Sequence, residues 1–251
     1  MKKIIKYFII LILGSKKRKF KILFGSNKGM NIYACPKTEL SLILGTYELS
    51  TQNILRTFLK QGDTVLDIGA NIGFTSLMMS KLIGKKGKLY SFEAIPSTTE
   101  ILKKNIRLNK LENITVFNKA VSNKIGKSSF LIPEDGKNHT MASMVWHKKD
   151  HKTKKIEVNN IVIDDSKEFK NIAPKFIKID VEGAEGHVIQ GMKKLLEKNN
   201  IRLLIECSEI GRNDTWKILK KLNYKCFRKD NLKKEIISFN NYRNNDFLWI
   251  K

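Results

Sequence analysis

The chain has 251 residues, enough for one large domain with at most a small appendage. Its 41% hydrophobic content, with only 4 Pro and 15 Gly, excludes a mainly disordered or fibrous chain. The 48 Lys+Arg against 24 Asp+Glu give a formal charge of +24, which favours anionic partners unless it reflects only a bias towards Lys, Asn and Ile.

The first thirty residues carry nine basic side chains and no acidic one. The apolar run from Tyr7 to Leu13 is too short to cross a bilayer, which takes about 20 residues. Gly14-Ser15 is followed at once by Lys16-Lys17-Arg18-Lys19, a poor context for signal cleavage. A short apolar segment flanked by lysines suits an anionic membrane surface; the alternative is a helix packed on the domain with a solvated basic end. The expected organisation is a basic, partly apolar segment over 1–40 and a single domain over 41–251. The three cysteines, Cys35, Cys207 and Cys226, have no zinc spacing and are too few for a disulfide framework. They fit a reducing, cytoplasmic setting, with docking at the inner face of a membrane as the extension of that reading.

From Asp63 onward, short β-rich runs alternate with helical periodicity. Thr64 to Ile68 reads as a buried strand, and Gly73 to Ile83 as a helix with Phe74, Leu77, Met78 and Leu82 on one side. Lys88 to Phe92 is a second strand. Ser97, with Glu100 three residues on, predicts a capping box at the start of a helix that ends near Asn109. Ile114 to Phe117 and Phe176 to Ile179 are further strands, the latter followed by a helix through Val188, Ile189, Met192 and Leu195. Arg202 to Ile205 is a fifth strand, Thr215 to Leu222 a helix, and Tyr224 to Phe227 and Phe247 to Ile250 two last strands. This rhythm predicts a doubly wound, mostly parallel α/β sheet with an antiparallel hairpin on its edge. Residues 122–170 interrupt it. Their segment 133–155, with a turn at Pro133-Glu134-Asp135-Gly136 and a basic tract, reads as an irregular loop and a candidate lid over the acceptor.

The chemistry concentrates at strand ends, where open parallel sheets bind ligands. Asp67-Ile68-Gly69-Ala70-Asn71-Ile72-Gly73 is a G-x-N-x-G turn. It has Asn71 and Phe74 where a dinucleotide motif has glycines, and the chain has no Walker lysine motif. Glycines here allow a sharp turn and close approach of a ligand. Asp67 would repel a phosphate but suits a cationic amino-acid group. Glu93, ending the second strand beside Ala94, can accept both ribose hydroxyls of an adenosine. Ala120, after the third strand, leaves room for a base. A cationic amino-acid end and a ribose end together describe S-adenosylmethionine. Asp180, Glu182 and Glu185 follow the fourth strand, and Glu206 ends the fifth. Asp180 and Glu182 share parity in an extended run and are expected to face one cleft. With Glu206 they form the candidate catalytic group: a general base for a hydroxyl, or oxygen ligands for a divalent metal. Glu185 reads as an acid complementing a helix dipole. His187 and Cys207 read as structural, and His139, His147 and His151 have no ligand spacing.

These runs, together with Lys178-Ile179-Asp180-Val181-Glu182-Gly183-Ala184-Glu185, Ile205-Glu206 and Ile163-Asp164-Asp165, resemble the FkbM-type methyltransferases over about residues 40–210. The resemblance implies a class I, Rossmann-like methyltransferase fold with a seven-stranded sheet in the order 3-2-1-4-5-7-6. It also implies S-adenosylmethionine as donor and a hydroxyl acceptor on a sugar, glycan or secondary metabolite. By position it implies cofactor contacts from Asp67, Gly69, Asn71, Gly73 and Glu93, with Ala70, Phe74, Ala94 and Ala120 beside them. Asp180 and Glu182 would line the reaction centre. The departure is Ala94, where many relatives have Pro directly after the Glu; here Pro96 comes two residues later. The basic charge keeps an RNA methyltransferase as an alternative, against which stand the Asp-Val-Glu-Gly strand end and the lack of a Pro-Cys nucleophile. A non-catalytic anion-binding module is a third reading, opposed by the acids themselves.

Overall fold

The computed structural model describes residues 10, 12–133, 153–207, 211–238 and 246–251. The interfacial segment expected at 7–13 and the lid expected at 133–155 therefore lie mostly outside the described residues. Among the described residues, no helix is long and apolar enough to cross a membrane.

An eight-stranded sheet organises the fold. In sequence its strands are β3 (Thr64–Ile68), β4 (Lys88–Phe92), β5 (Ile114–Phe117), β9 (Phe176–Ile179), β10 (Arg202–Glu206), β11 (Lys225–Arg228), β12 (Asn231–Ile236) and β13 (Asp246–Ile250). The spatial order is β5-β4-β3-β9-β10-β13-β11-β12. Strands β5, β4, β3, β9 and β10 run parallel, and β13 runs antiparallel between β10 and β11, so that β11 points the same way as the parallel set. The order expected from the sequence, 3-2-1-4-5-7-6, is present, with β12 added as an eighth strand. That strand reads Asn-Leu-Lys-Lys-Glu-Ile and is mostly exposed, so it shows no buried apolar alternation. Lysines on an edge also discourage pairing with another chain.

The helices pack on both faces: α3 (Phe74–Ile83), α4 (Pro96–Leu108), α5 (Glu185–Gln190), α6 (Lys193–Lys198) and α7 (Arg212–Lys221), preceded by α1 (Pro36–Leu44) and α2 (Leu49–Phe58). One large apolar cluster joins β3, β9, β10 and β13 to α5, α6 and α7; a second lies between α2, α3 and the other sheet face. Two helix expectations are corrected. Helix α4 starts one residue before Ser97, with Pro96 in its first turn and Ile95 at the N-cap, so no capping box forms. Proline fits there because its missing N–H would be unpaired anyway. The helix expected through Leu195 is two short helices, broken at Gly191, whose added Cβ would lie 2.0 Å from the Ser122 carbonyl oxygen.

The region read as irregular contains regular structure. Strands β7 (Lys127–Pro133) and β8 (Thr153–Ile161) pair antiparallel, and β8 also pairs parallel with the short β6 (Ala120–Val121). Near the N-terminus, β1 (Arg18–Lys21) and β2 (Asn31–Ala34) form a hairpin. Ile22, Ile32 and Ala34 of this region pack on Leu42, Ile43, Ile72 and Phe74. Buried Asn105 accepts the Tyr33 N–H and donates to the Ile72 carbonyl, tying the hairpin to the loop after β3.

Candidate functional site

The carboxyl ends of β3, β4, β9 and β10 surround a cavity of about 230 Å³. Its wall includes Gly69, Asn71, Glu93, Ala94, Ala120, Asp180, Glu182 and Glu206 from the sequence expectations. It also includes Tyr47 and Glu48, which the strand-end pattern did not single out. A smaller neighbouring cavity, lined in part by Ala70, Phe74 and Lys178, shares Tyr47, Glu48, Gly69, Asn71 and Asp180 with the first.

The turn after β3 is held by backbone. The Gly69 and Ala70 N–H groups both donate to the Phe92 carbonyl, and the Asp180 N–H donates to the Ile68 carbonyl. Gly69 has φ +80°, and a Cβ there would sit 1.8 Å from the Asp180 carbonyl oxygen. Gly73 has φ +93°, and its Cβ would meet Leu102 at 2.4 Å. Both glycines were expected to make room for a ligand. What occupies the space is protein: the chain leaving β9 at Gly69, and α4 at Gly73. Gly69 still lines both cavities, whereas Gly73 lines neither.

Glu93 is 8% exposed. One carboxylate oxygen accepts the Asn71 N–H and the other the Ile95 N–H, each at 2.9 Å. Burial pushes its pKa up to about 7, against the pull of those two donors. An ionised carboxylate has about four acceptor positions. Two are taken here, and two remain for a pair of hydroxyls, so the residue fits a ribose.

Asp67 does not reach the cavity wall. It is fully buried and accepts hydrogen bonds from the Ser76 hydroxyl at 2.6 Å and the Thr75 hydroxyl at 3.1 Å. Parallel pairing of β3 and β9 sets it beside Lys178, whose ammonium is 4.0 Å away. The contact with a cationic ligand expected for Asp67 is thus taken by Lys178. Burial raises its pKa, while Lys178 and the two hydroxyls act the other way.

Lys178 lies on the fully buried strand Phe-Ile-Lys-Ile and also pairs with Asp180 at 3.0 Å. Burial disfavours its charge, but Asp180, Asp67 and Glu48 outweigh burial and hold its pKa well above the ordinary range. Carboxylate oxygens of Glu48, Asp180 and Glu206 lie within 4.8 Å of one another, near enough to share a proton or a cation. Burial, then the charges of Asp180 and Asp246, push Glu206 up to about 8. Asp246 is its cross-strand partner and is ion-paired with Lys229. Burial, then Asp180, also raises Glu182. Glu182 shares the cavity wall with Asp180 by a different route from the strand parity expected of it: β9 ends at Ile179, and the chain turns with Glu182 at φ +50°. Five non-glycine residues with positive φ occur among the described residues, and three of them, Glu48, Asn71 and Glu182, line this cavity. Such conformations cost free energy and cluster at functional sites.

Other expected residues have structural roles. Glu185 is buried and accepts the Gly183 N–H at 2.9 Å. Asp164 caps α6 through the Lys194 and Leu195 N–H groups. Cys207 lies in the core. His139, His147 and His151 are outside the described residues.

A family model described as the methyltransferase FkbM domain matches residues 67–239, more than half of the chain. The chain belongs to the FkbM methyltransferase family. The match is to a methyltransferase domain, which sets aside the non-catalytic binding module. An S-adenosylmethionine-dependent O-methyltransferase from Thermotoga maritima shares its fold, with a TM-score of 0.51 and 13% identity over 82% of this chain and 65% of that one. A solved FkbM methyltransferase from Methylobacillus flagellatus KT aligns at 17% identity and TM-score 0.48, covering 76% and 44%. Among curated proteins, the protein-L-isoaspartate O-methyltransferase of Fervidobacterium nodosum is 41% identical over 58 residues, 23% of this chain and 29% of that protein. The FkbM chain thus spans less than a third of the length of such curated relatives.

Proposed function

We propose that this FkbM methyltransferase methylates a hydroxyl oxygen of a sugar, glycan or secondary metabolite, with Asp180 as general base. The observation carrying this reading is the convergence of Glu48, Asp180 and Glu206 on one wall of the cavity, with Lys178 bonded to Asp180. S-adenosylmethionine supplies an electrophilic methyl group on a sulfonium. Glu93 holds the ribose hydroxyls through its two remaining acceptor positions. Asp180 accepts the hydroxyl proton as the acceptor oxygen takes the methyl group, leaving a neutral ether and a protonated carboxyl. Lys178 orients Asp180 through its 3.0 Å contact. Glu48 and Glu206 sit close enough to relay the proton to solvent.

A positioned carboxylate base contributes about 10²–10⁴-fold. Asp180→Asn should keep donor affinity, measured calorimetrically with S-adenosylhomocysteine, and lose turnover by two or more powers of ten. Weakened donor binding with intact saturated turnover would make Asp180 a counter-charge to the sulfonium. Normal affinity with normal turnover would overturn both roles. Turnover abolished by chelator and restored by Mg²⁺ or Mn²⁺ would make the cluster a metal site.

A further inference from the structure

Beside the donor cavity lies another of about 360 Å³, lined by Ser122, Asn123, Lys124, Lys127, Ser128, Ser129 and His187. It shares Ser122 and Ser128 with the donor cavity, so the two form a continuous surface. Their walls are opposite in charge. The donor cavity carries Glu48, Glu93, Asp180, Glu182 and Glu206 against a single lysine, Lys119. The neighbouring wall has two lysines, three hydroxyls, an amide and an imidazole, with no carboxylate.

We infer that this second cavity is an anion subsite that binds a phosphoryl group of the methyl acceptor. The inference rests on the hydroxyl-acceptor reading above and narrows the acceptor to one bearing phosphate. An anionic group is repelled from the carboxylate end, where the hydroxyl must sit, and attracted to the lysine end. The paired fields therefore set which end of the acceptor enters first. Lys124 has no ion-pair partner among the described residues. Lys127 reaches Glu157 at 3.3 Å, but both groups are about 60% exposed, and such pairs contribute little and give way readily. Ser128 supplies a hydroxyl at the junction, next to Ser122, whose hydroxyl lies 3.5 Å from Asn123 Oδ1. The wall thus offers point charges and several donors to the many oxygens of a phosphate. The site lies on the β6–β7 connection and the start of β7, outside the strand-end motifs that hold the donor.

The test uses the full chain and inorganic pyrophosphate as probe. Calorimetry at 0.05 and 0.15 M salt should show saturable binding, weakened tenfold or more in K124Q/K127Q. S-adenosylhomocysteine affinity and the melting temperature of that variant should stay at the wild-type values. Amide resonances of Lys124, Ser128 and His187 should shift as pyrophosphate is added. Equal pyrophosphate binding in the variant, or none in the wild type, overturns the subsite. Loss of binding to single-stranded RNA in the variant, with pyrophosphate binding unchanged, would assign the lysines to a polyanion surface and overturn it equally. Because S-adenosylhomocysteine and Asp180→Asn report separately on the donor and the base, failure here is distinguishable from failure of the hydroxyl-acceptor reading.

Discussion

The acid at the end of β4 and the acids at the ends of β9 and β10 face the same cavity in opposite circumstances. Each Glu93 oxygen accepts a backbone N–H of its own. Glu48, Asp180 and Glu206 crowd one another and share one buried ammonium, Lys178, with Asp67 behind it. A carboxylate bound by fixed backbone donors is held in place and suits recognition. Carboxylates this close to one another can pass a proton between them and suit proton transfer. The difference follows from the loops: β4 leads into a turn whose N–H groups point back at Glu93, whereas β9 leads away through Gly183 and leaves Asp180 with a side-chain partner.

The strongest way to break this contrast is to remove the cation. Lys178→Met should destabilise the fold by about 3–5 kcal/mol, the usual cost of leaving a buried charge unpaired. Asp67→Asn added to it should restore part of that loss in urea unfolding. No recovery would show that Asp67 is not what Lys178 compensates.

On the recognition side, Glu93→Ala should remove the two ribose hydrogen bonds proposed for this residue. At roughly 1.5–3 kcal/mol for a bond to a charged group, S-adenosylhomocysteine affinity should fall about 10-fold to 100-fold or more. The variant should also melt earlier, since the Asn71 and Ile95 N–H groups lose their acceptors. Unchanged affinity measured by calorimetry would remove ribose from this residue.

The smallest expected effect sharpens the proton-transfer side. Glu206 is raised to about 8, so it is protonated below that pH and adds a negative charge beside Asp180 above it. That added charge favours transfer of a proton into the acid cluster, so saturated turnover should rise through pH 8. Glu206→Gln should flatten this limb while retaining turnover. A limb that survives the substitution belongs to another group.

Much of this was legible because parallel strands buried on both faces read as short apolar runs that end at their chemistry. The ends at Asp67, Glu93, Asp180 and Glu206 stood out for that reason, and all but Asp67 line the cavity. Asp67 misled because the residue beside it comes from β9, a register no local pattern reports. Lys178 had a visible signal, a single cation inside an apolar strand, which takes meaning only when paired acids are sought. Glu48 had none, since it precedes α2 and reaches the cavity through tertiary packing. Strands β8 and β12 were hidden by exposed lysines that mask alternation.

Gly69 carries a consequence for how this enzyme can diversify. The loop after β3 and the chain leaving β9 touch backbone to backbone there. On the proposed reading, the reach from donor to base is set by backbone, and substitutions along β7, β8 and the segment before α2 should alter which acceptors are taken while leaving that reach unchanged.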